Sequence, residues 1–165
     1  AGAGAGERVA TAISDGRGLQ TFRKIIEAKG GNPAIVDDPA ALPQAGEVEI
    51  YEAPARGFIT GVEPRGIGRA VVEMGGGHRV LGDVIDPSVG FVITVKPGAH
   101  VAAGEPIASV FARDAAGIEI GMRALGASIR IGDKGAVTPL ITHRVTVGGV
   151  EALEAAGETR ARSRR

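Results

Sequence analysis

Hydrophobic positions change their period along the chain. Val9, Ala12 and Ile13 fall at helical spacing within residues 4–14, and Leu19, Phe22, Ile25 and Ile26 mark an amphipathic helix of about three turns. Asp15-Gly16 separates the two, and Gly30 and Gly31 supply a C-terminal stop. Residues 32–46 hold Pro33, Pro39 and Pro43, which remove amide donors and fix φ, so an extended connection and a domain boundary are predicted there. Beyond it the period falls to two. Val48 and Ile50, then Phe58, Ile59 and Val62, predict short strands around a Pro54–Gly57 turn. Pro64 opens a helix over Arg65 to Met74, ended by Gly75, Gly76 and Gly77. Strands follow at 91–95, Val101 and 107–111, then a helix from the N-cap Asp114 through Ile118, Met122, Leu125 and Ile129, and a last strand at 140–147.

This order predicts an α+β chain. Short N-terminal helices, the end of a helical layer, precede a compact β-rich C-terminal unit with two helices. The expected organisation is 1–46 for the helices and linker, 47–150 for the C-terminal domain, and 151–165 for a polar, disordered Arg-rich tail. The helices carry an apolar face with nothing behind them long enough to cover it.

Composition narrows the function. The chain has 165 residues, 44% hydrophobic, enough for one packed core and too apolar for a disordered chain. The absence of Cys excludes disulfides, zinc-thiolate sites and a cysteine nucleophile. Formal charge is zero, but Arg160, Arg162, Arg164 and Arg165 crowd the last six positions, so the body is net acidic. With only 3% aromatic residues and no broad cationic surface, nucleic acid is not an expected partner. No apolar run is long enough to span a membrane and no signal peptide is visible, so a cytoplasmic location is expected. The first residue is Ala1 rather than Met, which points to a processed or truncated chain.

The run Gly75-Gly76-Gly77-His78-Arg79 is the most enzyme-like feature. A phosphate loop, however, needs a strand and then a helix N-terminus, so that amides converge on the anion. These glycines follow a helix and turn carbonyls, not amides, toward the loop. Gly76, Gly77, His78 and Arg79 are therefore candidates only for a loop facing a cleft. His78, His100 and His143 are too scattered for a metal site, and Asp83 and Asp86 read as turn and cap residues. No Ser sits in a G-x-S-x-G elbow. No catalytic residue, metal ligand or cofactor is assigned.

The segment VKPGAHVAAGEPIASVFA has the strand, Pro-Gly turn, strand pattern of a barrel-sandwich hybrid module, and resembles half of a biotinyl or lipoyl carrier domain. Those domains present a lysine at the hairpin tip. Here the tip is Arg113-Asp114, and Lys96 lies on another turn, so a carrier role is not expected. The C-terminal unit is expected to be barrel-sandwich-like.

In order, LQTFRKIIEAKGGNPAIVDDPAALPQA, ARGFITGVEPRGIGRAVVEMGGGHRVLGDVIDPSVGF and VKPGAHVAAGEPIASVFA resemble the C-terminal part of pyrimidine-nucleoside and thymidine phosphorylases, over about residues 16–113. KGGNPAIVDDP is closer to the broad-specificity pyrimidine branch. His78 departs from the pattern, since many relatives run from the glycines directly to Arg. The resemblance implies phosphorolysis of uridine, thymidine or deoxyuridine to free base and (deoxy)ribose 1-phosphate, with phosphate as co-substrate and no cofactor. It also implies that the short N-terminal helices are the end of an α/β domain, and that the phosphate- and base-binding groups lie upstream in full-length relatives. The expected partner is then the N-terminal remainder of the same enzyme, and the parent a homodimer. The alternatives are a standalone barrel-sandwich binding module without catalysis and a subunit of a split phosphorylase.

Overall fold

The computed structural model describes residues 4–137, 139 and 141–153, and separates into two units, Ala1–Gln44 and Ala45–Arg165. In the first, α1 (Ala5–Ser14) and α2 (Arg17–Ala28) occupy the stretches with helical spacing. Asp15 ties the break between them, accepting the Arg17 amide at 3.1 Å and its Nε at 2.7 Å. The α2 C-terminus closes by Gly30 N–H to Glu27 C=O and Gly31 N–H to Ile26 C=O, both 2.9 Å, with Gly30 in the left-handed region at φ 77°. None of the residues of α1 or α2 is buried, and Ile13, Leu19 and Phe22 stay more than half exposed.

The connection is not simply extended. It forms two 3₁₀ turns, Pro33–Val36 and Pro39–Ala41. In each, proline fixes the first helical φ while the preceding Asn32 or Asp38 side chain accepts an amide, of Ala34 or Ala40. Arg23 of α2 grips this turn, donating to the Pro33 carbonyl at 3.2 Å and to Asp37 at 2.6 Å.

Among its described residues the second unit contains three small antiparallel sheets. In the first, β5 (Pro106–Ala112) is central, flanked by β1 (Glu47–Glu52) and β3 (Gly90–Ile93). In the second, β2 (Gly57–Val62) is central, flanked by β4 (His100–Val101) and β6 (Ile129–Gly132). The third is a hairpin, β7 (His143–Thr146) and β8 (Gly149–Ala152). Thus the last predicted strand becomes β7, and β8 takes residues assigned in part to the tail. Leu140, and the tail from residue 154 onward, lie outside the described residues.

The barrel-sandwich expectation is overturned: among the described residues no sheet closes or curls strongly onto itself. The pairing shows why. The two strands of the carrier-like half-motif do pair, Phe91 with Val110 and Ile93 with Ala108. The Pro97-Gly98 turn between them leaves that sheet, with Gly98 N–H donating to Ile59 C=O and Ile59 N–H to Ala99 C=O, both 2.8 Å. β1 and β2, adjacent in sequence, likewise part to different sheets. What remains is a mixed α+β fold, without the scaffold that a standalone barrel-sandwich module would need.

Two helices lie beside these sheets, the later one packed on the first sheet and the earlier one packed on the later. α3 (Pro64–Val71) is capped by Glu63, whose carboxylate accepts the amides of Arg65 and Gly66 at 3.0 and 2.6 Å, and it runs into a π-helical turn, Val72–Gly76. α4 (Ala115–Ser128) is capped by Asp114, which accepts the Gly117 amide at 3.0 Å. Buried Gly117 and Gly121 let α4 lie against β5: a Cβ on Gly117 would stand 2.8 Å from Ala112 Cβ, and one on Gly121 would overlap the Val110 side chain. The core gathers Ile59, Val101, Ile107, Val110 and Leu125, all essentially shielded from water, with Met74 and Ile129 beside them. Among the described residues no helix is long and apolar enough to cross a membrane.

Candidate functional site

The candidate residues Gly76, Gly77, His78 and Arg79 lie where the π-helical turn gives way to the long loop leading into β3. The turn can end there only because Gly75 takes φ 99°, a conformation that costs any side chain. At the next two positions the constraint is space rather than φ. A Cβ on Gly76 would stand 2.7 Å from Val71 Cγ1, and one on Gly77 2.8 Å from Val72 Cγ2. The glycine run is thus accounted for by packing. Gly76 and Gly77 are half-buried, whereas His78 and Arg79 are exposed.

The rest of the loop is held by two aspartates. Asp83 Oδ2 accepts the amides of Arg79 and Val80 at 2.9 and 3.1 Å. Asp86 does more. Its amide donates to the Gly75 carbonyl at 2.9 Å, its Oδ1 accepts the Ser88 hydroxyl at 2.6 Å and amide at 3.0 Å, and its Oδ2 accepts Arg113 Nε at 3.1 Å, with Nη2 of the same guanidinium 3.0 Å away as an ion pair. Arg113 stands at the corner between β5 and α4, the position that in sequence marks only the place of a missing lysine. Its pairing with Asp86, across 27 residues, has no local sequence signal. Between these anchors Val80, Leu81 and Val84 are strongly exposed, Leu81 fully.

Electrostatics follow from the bonds. The Arg79 amide, then the Val80 amide, hold the Asp83 carboxyl below its ordinary range. The Ser88 hydroxyl, then its amide and the Arg113 guanidinium, do the same for Asp86. Both folded values are depressed, so each contribution is complete above the unfolded aspartate value of about 3.9 and is lost as pH falls through the lower folded value. Carbon-detected NMR titration should therefore place both carboxyl midpoints beneath about 3.9. A midpoint at or above that value for either aspartate would contradict the assigned bonds.

This geometry limits the chemistry. The amides of Arg79 and Val80 are already spent on Asp83, and the Gly75 carbonyl accepts the Asp86 amide. The loop exposes the Arg79 and His78 side chains. The other histidines are placed elsewhere. His100 of β4 packs edge-on against Phe58, with centroids 4.9 Å apart, and His143 Nδ1 lies 2.9 Å from Thr142 Oγ1. Among the described residues no group of three or more His, Cys, Asp or Glu side chains is positioned to hold a metal ion.

Residues 58–132 match the family described as "Pyrimidine nucleoside phosphorylase C-terminal domain". A thymidine phosphorylase of Burkholderia cenocepacia (strain J2315) is 35% identical over 140 residues, covering 84% of this chain and 32% of that protein. A thymidine phosphorylase of Burkholderia orbicola (strain AU 1054) is 33% identical over 140 residues, with the same coverage of 84% and 32%. A pyrimidine-nucleoside phosphorylase of Geobacillus stearothermophilus is 35% identical over 100 residues, 61% of this chain and 23% of that protein. The chain spans about a third of the length of the thymidine phosphorylases it matches. The matched segment contains all but the first residue of β2, with α3, the glycine run, the Asp86–Arg113 pair and α4.

Proposed function

We infer, with residues 58–132 taken as a C-terminal domain of the pyrimidine-nucleoside and thymidine phosphorylase family, that this chain is the C-terminal part of an enzyme cleaving pyrimidine nucleosides with phosphate. The products are the free base and (deoxy)ribose 1-phosphate. The observation that carries this reading is the family match across the domain holding the glycine loop, together with 35% identity to relatives named for both activities.

Breaking the glycosidic bond develops oxocarbenium character on the sugar and negative charge on the departing base. Catalysis therefore needs a donor at the base and a phosphate fixed in line for attack. The Arg79 and Val80 amides are taken by Asp83, and in this reading the grips for phosphate and base come from the N-terminal remainder of the enzyme. The present domain then supplies one wall of the cleft, with the loop through Gly76, Gly77, His78 and Arg79 facing it. The whole enzyme works in the cytoplasm as a homodimer, and this domain alone is catalytically silent.

A chimera tests the assignment. Residues 58–132 replace the matching segment of the Geobacillus stearothermophilus pyrimidine-nucleoside phosphorylase, and uridine phosphorolysis is followed by release of uracil. Retention of kcat/KM within about tenfold is expected, a barrier change of roughly 1.4 kcal/mol. A folded chimera with no measurable turnover would overturn the family role. Turnover of uridine by the 165-residue chain alone would overturn the proposed division of labour.

A further inference from the structure

Residues 76–85 leave and return to the body of the domain at one point, because the Asp86 amide donates to the Gly75 carbonyl at 2.9 Å. The segment between them is therefore a closed Ω-loop rather than a slack connection. Inside it Asp83 ties the Arg79 and Val80 amides, which shapes the tip but does not fasten the loop to anything else. The side-chain link outward is the Asp86 carboxylate, whose two oxygens take different partners. Oδ1 fixes the Ser88 hydroxyl and amide, setting the entry to β3, while Oδ2 accepts Nε of Arg113 from the β5–α4 corner and forms an ion pair with its Nη2.

The Asp86 side chain is only 14% exposed, against 64% for Arg113. A carboxylate so shielded needs all its partners, and charge-assisted bonds to it are stronger than those of an open surface pair. The tip meanwhile holds Val80, Leu81 and Val84 in water. Loosely tethered apolar side chains would fold back onto the nearest apolar surface. Holding them out requires a fastened base.

We propose that Asp86 and Arg113 are positioning residues that lock the base of this Ω-loop to the β5–α4 corner, so that His78, Arg79 and the apolar tip are presented in one fixed geometry. The lock is a property of this chain and stands independently of the phosphorylase reading. It acts on the loop without being part of the core, because Arg113 lies outside the buried cluster.

Hydrogen exchange and limited trypsin digestion of the 165-residue chain test it. In Arg113→Gln, exchange at the Asp86 and Ser88 amides and cleavage after Arg79 should each rise about tenfold, with the Val110 and Leu125 amides unchanged. Arg113→Lys, which keeps the charge but loses the forked donor, should fall between the two, at about threefold. Asp86→Asn should reproduce Arg113→Gln. Loop exchange and cleavage within about twofold of the parent chain in Arg113→Gln would overturn the lock. So would loop and core exchange rising together in that variant, since the pair would then be supporting the whole domain.

Discussion

Gly121→Val should destabilise the second unit by about 3 kcal/mol, read as a lowered midpoint in urea unfolding at unchanged slope. The reason is the closeness of α4 to β5. A Cβ at position 121 would overlap the Val110 side chain and stand 3.2 Å from Phe91 Cε1, and Val110 is itself fully buried with no room to retreat. The informative comparison is with alanine. In an open helix interior Gly→Ala stabilises by roughly 0.5–1 kcal/mol, because the unfolded chain loses freedom it would otherwise keep. Gly68 in α3 has nothing within 4 Å of the added carbon, so Gly68→Ala should follow that rule. Gly121→Ala should reverse the sign, costing about 1–2 kcal/mol. If both alanine variants stabilise, the close packing of α4 on β5 is wrong.

Leu125→Ala is expected to cost about 3 kcal/mol, the usual loss for a fully buried leucine with a cavity left behind. Leu125 is 0% exposed and belongs to the cluster that joins Ile59 of β2 to Ile107 and Val110 of β5. Its removal therefore weakens the union of two sheets as well as the anchoring of one helix. Leu125→Met conserves volume and should stay within about 1.5 kcal/mol of the parent chain. A loss below about 1 kcal/mol for Leu125→Ala would mean that the two sheets do not share one core.

The elements legible in the sequence are those whose signal is local. The spacing of Leu19, Phe22, Ile25 and Ile26 marks α2, and Asp114 followed by Ile118, Met122 and Leu125 marks α4 with its cap. Pairing is not local. Phe91–Val95 and Ile107–Phe111 are recognisable as strands, but nothing in them says that the Pro97-Gly98 turn bonds to Ile59 of another sheet. The prolines of residues 32–46 suggest extension, and it is the capped amides of Ala34 and Ala40 that convert this stretch into turns. In the loop, Asp83 and Asp86 are legible as turn residues. Arg113 is not, since only the fold brings it to Asp86. The glycine run has the look of a ligand loop, and it is packing against Val71, Val72 and Val89 that explains Gly76 and Gly77.

β1 lies at the border of its sheet, paired on one side only, with Val48 and Ile50 about half exposed. A strand of that kind is a template for a second copy of itself. Its sequence is EVEIYE, and the three glutamates, Glu47, Glu49 and Glu52, are all exposed. Two such strands laid side by side would bring like charges into register, a repulsion that shields the open border without any covering element. That guard is electrostatic, so raising the ionic strength screens it and brings edge-to-edge association at this border within reach.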